Sequence, residues 1–334
     1  MNRQHGKPIM KKITYLTSVA IVATLASFAL VPAAAQAPAK PAAASSAKAA
    51  PSGKQRSYAS PEEAVKSFVE AIRAADLKAL AAIIGPGSEA WITTGDAVQD
   101  EQDRKNFLAA YDQKNELEKK DGNTVILSIG ADAWPFAIPI VKKGGQWAFD
   151  AKAGREELTN RRVGRNELDT IKTLVAVVEA QRKYAAADAD GNGVADYARR
   201  FMSSQGKKDG LYWPTKDGEP ASPLGALAEV AAAEGYGKKA SSGAPQPYKG
   251  YYYRMLTAQG KEAPGGAKDY LVKNKLTGGF AVVAYPSKYD VSGIMTFIVN
   301  NDGVVWEKDL GPTTPSVATA MKLFKLDKTW KKAQ

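Results

Sequence analysis

Between residues 60 and 150, three segments with helical periodicity stand ahead of three short strand-like segments, and this order constrains the fold most. Helices grouped first and a strand meander after them make an α+β domain. Ser60-Pro61-Glu62-Glu63 opens the first helix, with Ser60 as N-cap, Pro61 in the first turn and Glu63 at the capping-box position. Ala64, Val65, Phe68, Val69 and Ile72 then share one face. A second helix begins at Asp76 and stops at Gly85-Pro86-Gly87. A third is expected over Asp103–Lys119, with Phe107, Leu108 and Tyr111 inward. Strands are expected at 124–129, 136–142 and 146–150, with Gly144-Gly145 turning the last hairpin.

A charged connector, Gly154–Arg165, leads to a long helix over Asn166–Tyr184. Leu168, Ile171, Val175 and Val178 form its expected apolar stripe, with Leu174 beside it. Four more strands are expected at 251–257, 279–286, 294–300 and 304–308, with Asn300-Asn301-Asp302-Gly303 as a hairpin turn. A final helix is expected from Ser316 to about Lys325. The reading gives two α+β segments, 58–155 and 156–334, with no internal repeat.

The start of the chain reads as an export signal. Arg3, Lys7, Lys11 and Lys12 precede an apolar run, Ile13–Val31, which ends in Ala33-Ala34-Ala35. A cut after Ala35 keeps Pro38 away from the scissile bond. The alternative is an uncleaved anchor, since the run is just long enough to span a bilayer. Residues 36–57, dominated by Ala, Pro, Ser and Lys as far as Gly53, are expected to form a disordered tether. The expected location is periplasmic or secreted, with no membrane insertion once the signal is cut.

Residue usage narrows the chemistry. The chain has no Cys, and its one His, His5, lies in the signal. Ser-His-Asp and Cys-His nucleophiles are therefore excluded from the mature chain, as are zinc sites of the His and Cys kind. Carboxylate, Lys and Tyr chemistry and oxygen-ligated cations remain. Of the net charge of +11, four lie in the signal and four more on Lys40, Lys48, Lys54 and Arg56, so only +3 remains from Ser57 onward. A phosphate-binding face clusters its charge on the fold, so nucleic acid is not an expected partner.

Two local patterns carry candidate sites. Asp188-x-Asp190-x-Asn192-Gly193-x-x-Asp196 has the spacing of a calcium loop, with the Val194 carbonyl at position seven. Position twelve is Arg199, where a bidentate acid belongs. Ca2+ is the one candidate cofactor. The alternative is a helix-ending turn that uses Asp, Asn and Gly for their backbone preferences. Asp209, Tyr212 and Trp213 form a loop with a carboxylate and two rings, and Tyr251 and Tyr253 share a strand face. These are candidate ligand-binding residues for a sugar or a peptide, against the alternative that the rings form core. Ser204-x-x-Lys207 has Ser-Lys acyl-transfer spacing but lies in a loop of Ser, Gln, Gly and Lys. No catalytic residue is assigned.

Three resemblances follow from these segments. The order of elements in the first half looks like the cone-shaped nuclear-transport-factor-two-like fold. The long helix ending in Gln181-Arg182-Lys183-Tyr184, with the strands at 279–286 and 296–305, resembles the soluble part of type IV pilins and type II secretion pseudopilins. That helix starts at Gly164-Arg165-Asn166-Glu167 in mid-chain, without the apolar start that pilins pack into filaments. From about Tyr58 to Lys331 the chain resembles the exported bacterial family called domain of unknown function 2950. Trp147–Asp150, Gly154–Glu156, Arg162–Glu167, Asp196–Ala198, Asp209–Pro214, Gly250–Tyr253 and the strand from Gly279 carry that likeness. The expected function is non-enzymatic binding or assembly in the envelope, with an envelope protein or a glycan as partner. The alternatives are a carboxylate-dependent hydrolase or glycan-active enzyme, and an accessory protein of a pilus or type II secretion system.

Overall fold

Ser60 caps α1 (Pro61–Arg73) by accepting from the Glu63 N–H, and Asp76 caps α2 (Leu77–Ile84) by accepting from Lys78 and Ala79. The computed structural model that shows these caps describes residues 54–237 and 245–333. The expected signal, 1–35, and the expected tether as far as Gly53 lie outside the described residues. Within the described range, Gln55 donates its side-chain amide to the carbonyls of Ile83, Ile84 and Phe149, so folded structure begins ahead of Tyr58.

After α2, Asp96 caps α3 (Ala97–Gln113). The third helix thus starts six residues earlier than its apolar pattern suggests, and it ends where β1 (Asn115–Lys119) begins. Residues 115–119 read as helix because Glu and Lys are good helix formers. On an edge strand the same charges guard against wrong pairing. Next come β2 (Thr124–Ile129), β3 (Trp134–Pro135), β4 (Ile140–Lys143) and β5 (Gln146–Phe149). They form an antiparallel sheet in the order β1-β2-β4-β5, with β3 beside β2. Phe68, Val69, Ile72, Ile83, Leu127, Ile140 and Phe149 meet in the apolar cluster beneath α1 and α2.

Asp150 caps α4 (Ala151–Ala186), a helix of 36 residues. The charged stretch 154–165, expected as a connector, is its first third. The buried face of α4 also differs from expectation. Leu168 is 55% exposed and Val175 42% exposed, whereas Asn166, Thr170 and Gln181 are fully buried beside Leu174 and Tyr184. Polar residues on the inner face hide its period from a reading that scores only apolar spacing. No helix among the described residues is long and apolar enough to cross a membrane.

Then follow α5 (Gly225–Glu234), β6 (Tyr251–Leu256), β7 (Ala258–Gln259), β8 (Lys268–Asp269), β9 (Ala281–Pro286), β10 (Met295–Asn300) and β11 (Trp306–Asp309). The chain finishes with α6 (Thr314–Ala320), β12 (Leu323–Phe324) and β13 (Lys331–Lys332). The last helix, expected to reach Lys325, ends at Ala320, and residues 323–324 pair in parallel with β7. The main second sheet is antiparallel, in the order β13-β11-β10-β9-β6. Its inner face and α4 enclose a second cluster around Leu174, Val178, Phe280, Val283, Phe297 and Ile298. The class is α+β, and the described residues fall in one compact unit.

The loop between β9 and β10 ties the two clusters together. Ser287 Oγ donates to the Thr94 carbonyl at 2.8 Å, and Lys288 Nζ donates to the Thr93 carbonyl at 3.0 Å. Val291 from this loop packs into the first cluster. On α4, the Asn166 amide donates to the Ser292 carbonyl at 2.9 Å. Two residue positions from that bond, one Glu167 oxygen accepts from the backbone N–H groups of both Ile294 and Met295 at 2.9 Å.

Candidate ligand cavity

α3 fully buries only Gln99, and its inward residues Phe107, Leu108 and Tyr111 stay half-buried. The reason is a cavity of about 760 Å³ between α1, α2, α3, the first turns of α4 and the sheet. That volume falls in the range of sites that enclose a small molecule. Phe68, Phe107 and Phe136 form one wall, with ring centroids 5.2–5.7 Å apart. Ile72, Leu80, Ile129, Ile138 and Leu158 continue the apolar lining.

Charge is gathered on one side. Asp100, Glu101, Asp103 and Arg104 come from α3, and Arg161, Arg162 and Arg165 come from α4. Most of these charges are paired. Arg104 makes a two-bond fork to Glu101 at 2.7 and 2.8 Å. Arg165 reaches Asp103 at 2.8 Å, and Arg161 reaches Glu157 at 2.6 Å. The Arg161 guanidinium also lies 5.1 Å from the centre of the Trp134 ring, which is 60% exposed. Such stacking suits arginine's planar head.

Arg162 is different. Its Nη1 donates to the Trp91 carbonyl at 2.9 Å, and among the described residues no carboxylate lies within 4.0 Å of it. Burial lowers its pKa, an effect opposed by the charges of Asp100 and Asp103. Asp100 is the nearby acid, and its lone pairs are engaged elsewhere. It accepts from the Thr94 N–H at 3.0 Å and from Thr94 Oγ1 at 2.8 Å.

Burial pushes the Asp100 carboxyl above its ordinary value of 3.8, against the pull of the Thr94 bonds and Arg162. The fold therefore accommodates the neutral acid better than the anion. The contribution of Asp100 to stability is full below pH 3.8 and is lost as pH rises through the raised folded value. Relative to Asp100→Asn, the wild-type chain should lose ground from about pH 4 until the folded carboxyl has ionised, and hold level above that. Urea midpoints of the two chains at several pH values test this. Parallel curves would contradict it.

The residues expected from sequence lie elsewhere. Tyr251 is fully buried, with its hydroxyl donating to the Met295 carbonyl at 3.0 Å and its ring against Phe297. It is core, out of reach of a ligand. Burial holds its hydroxyl well above the ordinary phenol range. Tyr253 shares that face, half-buried, with its hydroxyl on Thr170 Oγ1 at 3.3 Å. Asp209 accepts from the Ser204 N–H at 2.7 Å and from Ser204 Oγ at 2.9 Å, which lowers its carboxyl pKa. Tyr212 and Trp213 are half-buried, and Trp213 packs edge-on to Tyr184 at 6.5 Å. Tyr251 contacts α4 near Glu167 and Trp213 contacts it at Tyr184, which separates them by roughly 25 Å of helix. The two aromatic groups do not form one site.

The Asp188–Asp196 loop does not fit a calcium site. Asp188 accepts from the N–H groups of Asn192 and Gly193 at 3.0 and 2.9 Å. The Asn192 amide nitrogen faces Asp190 and Asp196, and Lys275 Nζ donates to Asn192 Oδ1 at 2.6 Å. Val194 is exposed at the loop's surface. Among the described residues no three acidic side chains converge to hold an ion. An internal ammonium occupies the oxygen that a cation would need.

Sequence reading missed the cavity because its lining comes from many elements, none with a local motif. The one local signal was Leu158, Arg161, Arg162 and Arg165 on a single helical face, and it was hidden by reading 154–165 as a connector.

The family model described as "Protein of unknown function (DUF2950)" matches residues 55–333. The chain belongs to the DUF2950 family. Comparison with curated proteins and with solved structures found no match. The DUF2950 match begins at Gln55, the residue whose amide joins α2 to β5, and takes in both apolar clusters together with the cavity.

Proposed function

We propose that this DUF2950 chain is a non-enzymatic binding protein of the bacterial envelope that holds a small, largely apolar ligand in the cavity beside α3. The observation that carries the reading is the cavity itself: about 760 Å³ lined by Phe, Ile and Leu side chains, with its polar groups confined to one side. A single preformed apolar cleft with a few convergent polar groups is the usual form of a small-molecule site. The residue inventory supports binding over catalysis. The only His stands in the expected signal and there is no Cys, so the remainder lacks the groups that most often serve as nucleophile or general base near neutral pH. Export rests on the basic, apolar and small-residue succession of the first 35 residues.

Binding of the neutral fluorophore N-phenyl-1-naphthylamine tests the site. Its emission should rise on addition of the protein, and Leu158→Trp, which places an indole into the lining, should abolish the rise. An unchanged signal in a folded Leu158→Trp chain would move the site elsewhere.

A further inference from the structure

We propose that the cavity selects an apolar monocarboxylate, with its carboxylate seated on the Arg162 guanidinium and its hydrocarbon body against Phe68, Phe107 and Phe136. This rests on the reading of the cavity as a ligand site and adds the chemical class of the ligand.

The head group of a ligand is set by which side chains at the cavity still have bonding capacity. Three of the four arginines there have carboxylate partners within 2.6–2.8 Å. The acids that line the same side are engaged as well: Glu101 by Arg104, Asp103 by Arg165, and Asp100 by both donors of Thr94. A guanidinium has five N–H donors in a fixed fork. Among the described residues Arg162 uses one, toward the Trp91 carbonyl. It lines the cavity half-buried, and its other donors are open to the cavity and not sealed inside the fold.

A planar carboxylate matches that fork with two parallel bonds, which a hydroxyl or a neutral carbonyl cannot do. The aromatic wall then favours a ligand with a ring or an alkyl chain behind the acid group. Arg104, Arg161 and Arg165 already have carboxylate partners, so Arg162 alone offers its charge to a ligand, which points to a monoanion. Arg162 is on this reading a ligand-contacting residue, and Asp100 a positioning residue that partly balances its charge.

Titration calorimetry with 4-phenylbutanoate and with 4-phenylbutan-1-ol, which differ at the head group alone, tests the assignment on the full chain. The acid should bind at least ~10-fold tighter than the alcohol. Arg162→Gln should erase that preference, so that acid and alcohol bind alike. Arg162→Lys, which keeps the charge and loses the fork, should retain part of it. In the wild-type chain the acid's advantage should also shrink below about pH 5 as the ligand protonates, a readout that needs no variant. Equal affinity for acid and alcohol, or an Arg162→Gln chain that keeps the preference, would overturn the carboxylate assignment and leave the cavity as an apolar site. Failure of both compounds and of the neutral fluorophore to bind would remove the binding reading itself.

Discussion

Asp96→Ala should lower the folding stability of the chain by about 3–5 kcal/mol, because it removes the acceptor of three buried donors. Asp96 is fully buried. Its Oδ1 accepts from the Gln99 N–H at 3.1 Å and so caps α3. Its Oδ2 accepts from the Tyr236 hydroxyl at 2.8 Å and from the Gly250 N–H at 2.9 Å. Truncation strands three donors at once, each costing roughly 1–3 kcal/mol when buried without a partner. Two of those donors belong to the far half of the chain, so the loss falls on the joint as well as on the helix start. Asp96→Asn keeps one acceptor but turns an NH2 toward two donors, and a loss between wild type and alanine is expected. Urea denaturation followed by circular dichroism measures both. A change below about 1 kcal/mol for Asp96→Ala would mean that solvent replaces the carboxylate, contrary to its burial.

The second large effect sets two glycines of one helix against each other. Helix propensity alone says that Gly→Ala within α4 stabilises by roughly 0.8–1 kcal/mol. Gly164 is exposed, and a Cβ there meets nothing within 4 Å, so Gly164→Ala should show that gain. At Gly154 a Cβ would stand 2.6 Å from the Ile138 Cα and 2.6 Å from its Cγ1. The backbone atom cannot swing aside as a side chain can. Overpacking of this kind costs roughly 1–3 kcal/mol or more, and it outweighs the propensity term. Gly154→Ala should therefore lower the thermal midpoint while Gly164→Ala raises it. Since Ile138 also lines the cavity, Gly154→Ala should weaken fluorophore binding too. Two shifts of the same sign would show that α4 can lift from the sheet without loss.

Much of the architecture was legible where local chemistry decides it. Ser60 and Asp76 cap their helices as read, because a short polar side chain ahead of an apolar period has few other uses. β2 occupies 124–129, as expected, and Gly144-Gly145 turns the hairpin into β5. Reading failed where a neighbour decides. Asp96 caps α3 so that it starts six residues ahead of the expected Asp103, and its two far acceptor bonds lie 140 and 154 positions away. The Asp188 loop has the spacing of a cation site, yet Lys275, remote in sequence, supplies the positive charge. Glu167 carries no local signal either, yet it accepts from the backbone N–H groups of Ile294 and Met295 at the start of β10. The cavity is the extreme case. It is a space left over by packing, and no single stretch of residues writes it.

The seam between the two clusters has a practical meaning for anyone who would divide the chain. Asp96, Thr93 and Thr94 on one side, and Tyr236, Gly250, Ser287 and Lys288 on the other, satisfy each other's polar groups, while Val291 fills an apolar hollow across the line. A fragment ending near Phe149 would present bare acceptors and an empty socket. Its complement would carry orphan donors and a protruding valine. Each piece would bring to solvent or to aggregation what the whole conceals, so expression trials should keep residues 54–333 together rather than treat either part as a module.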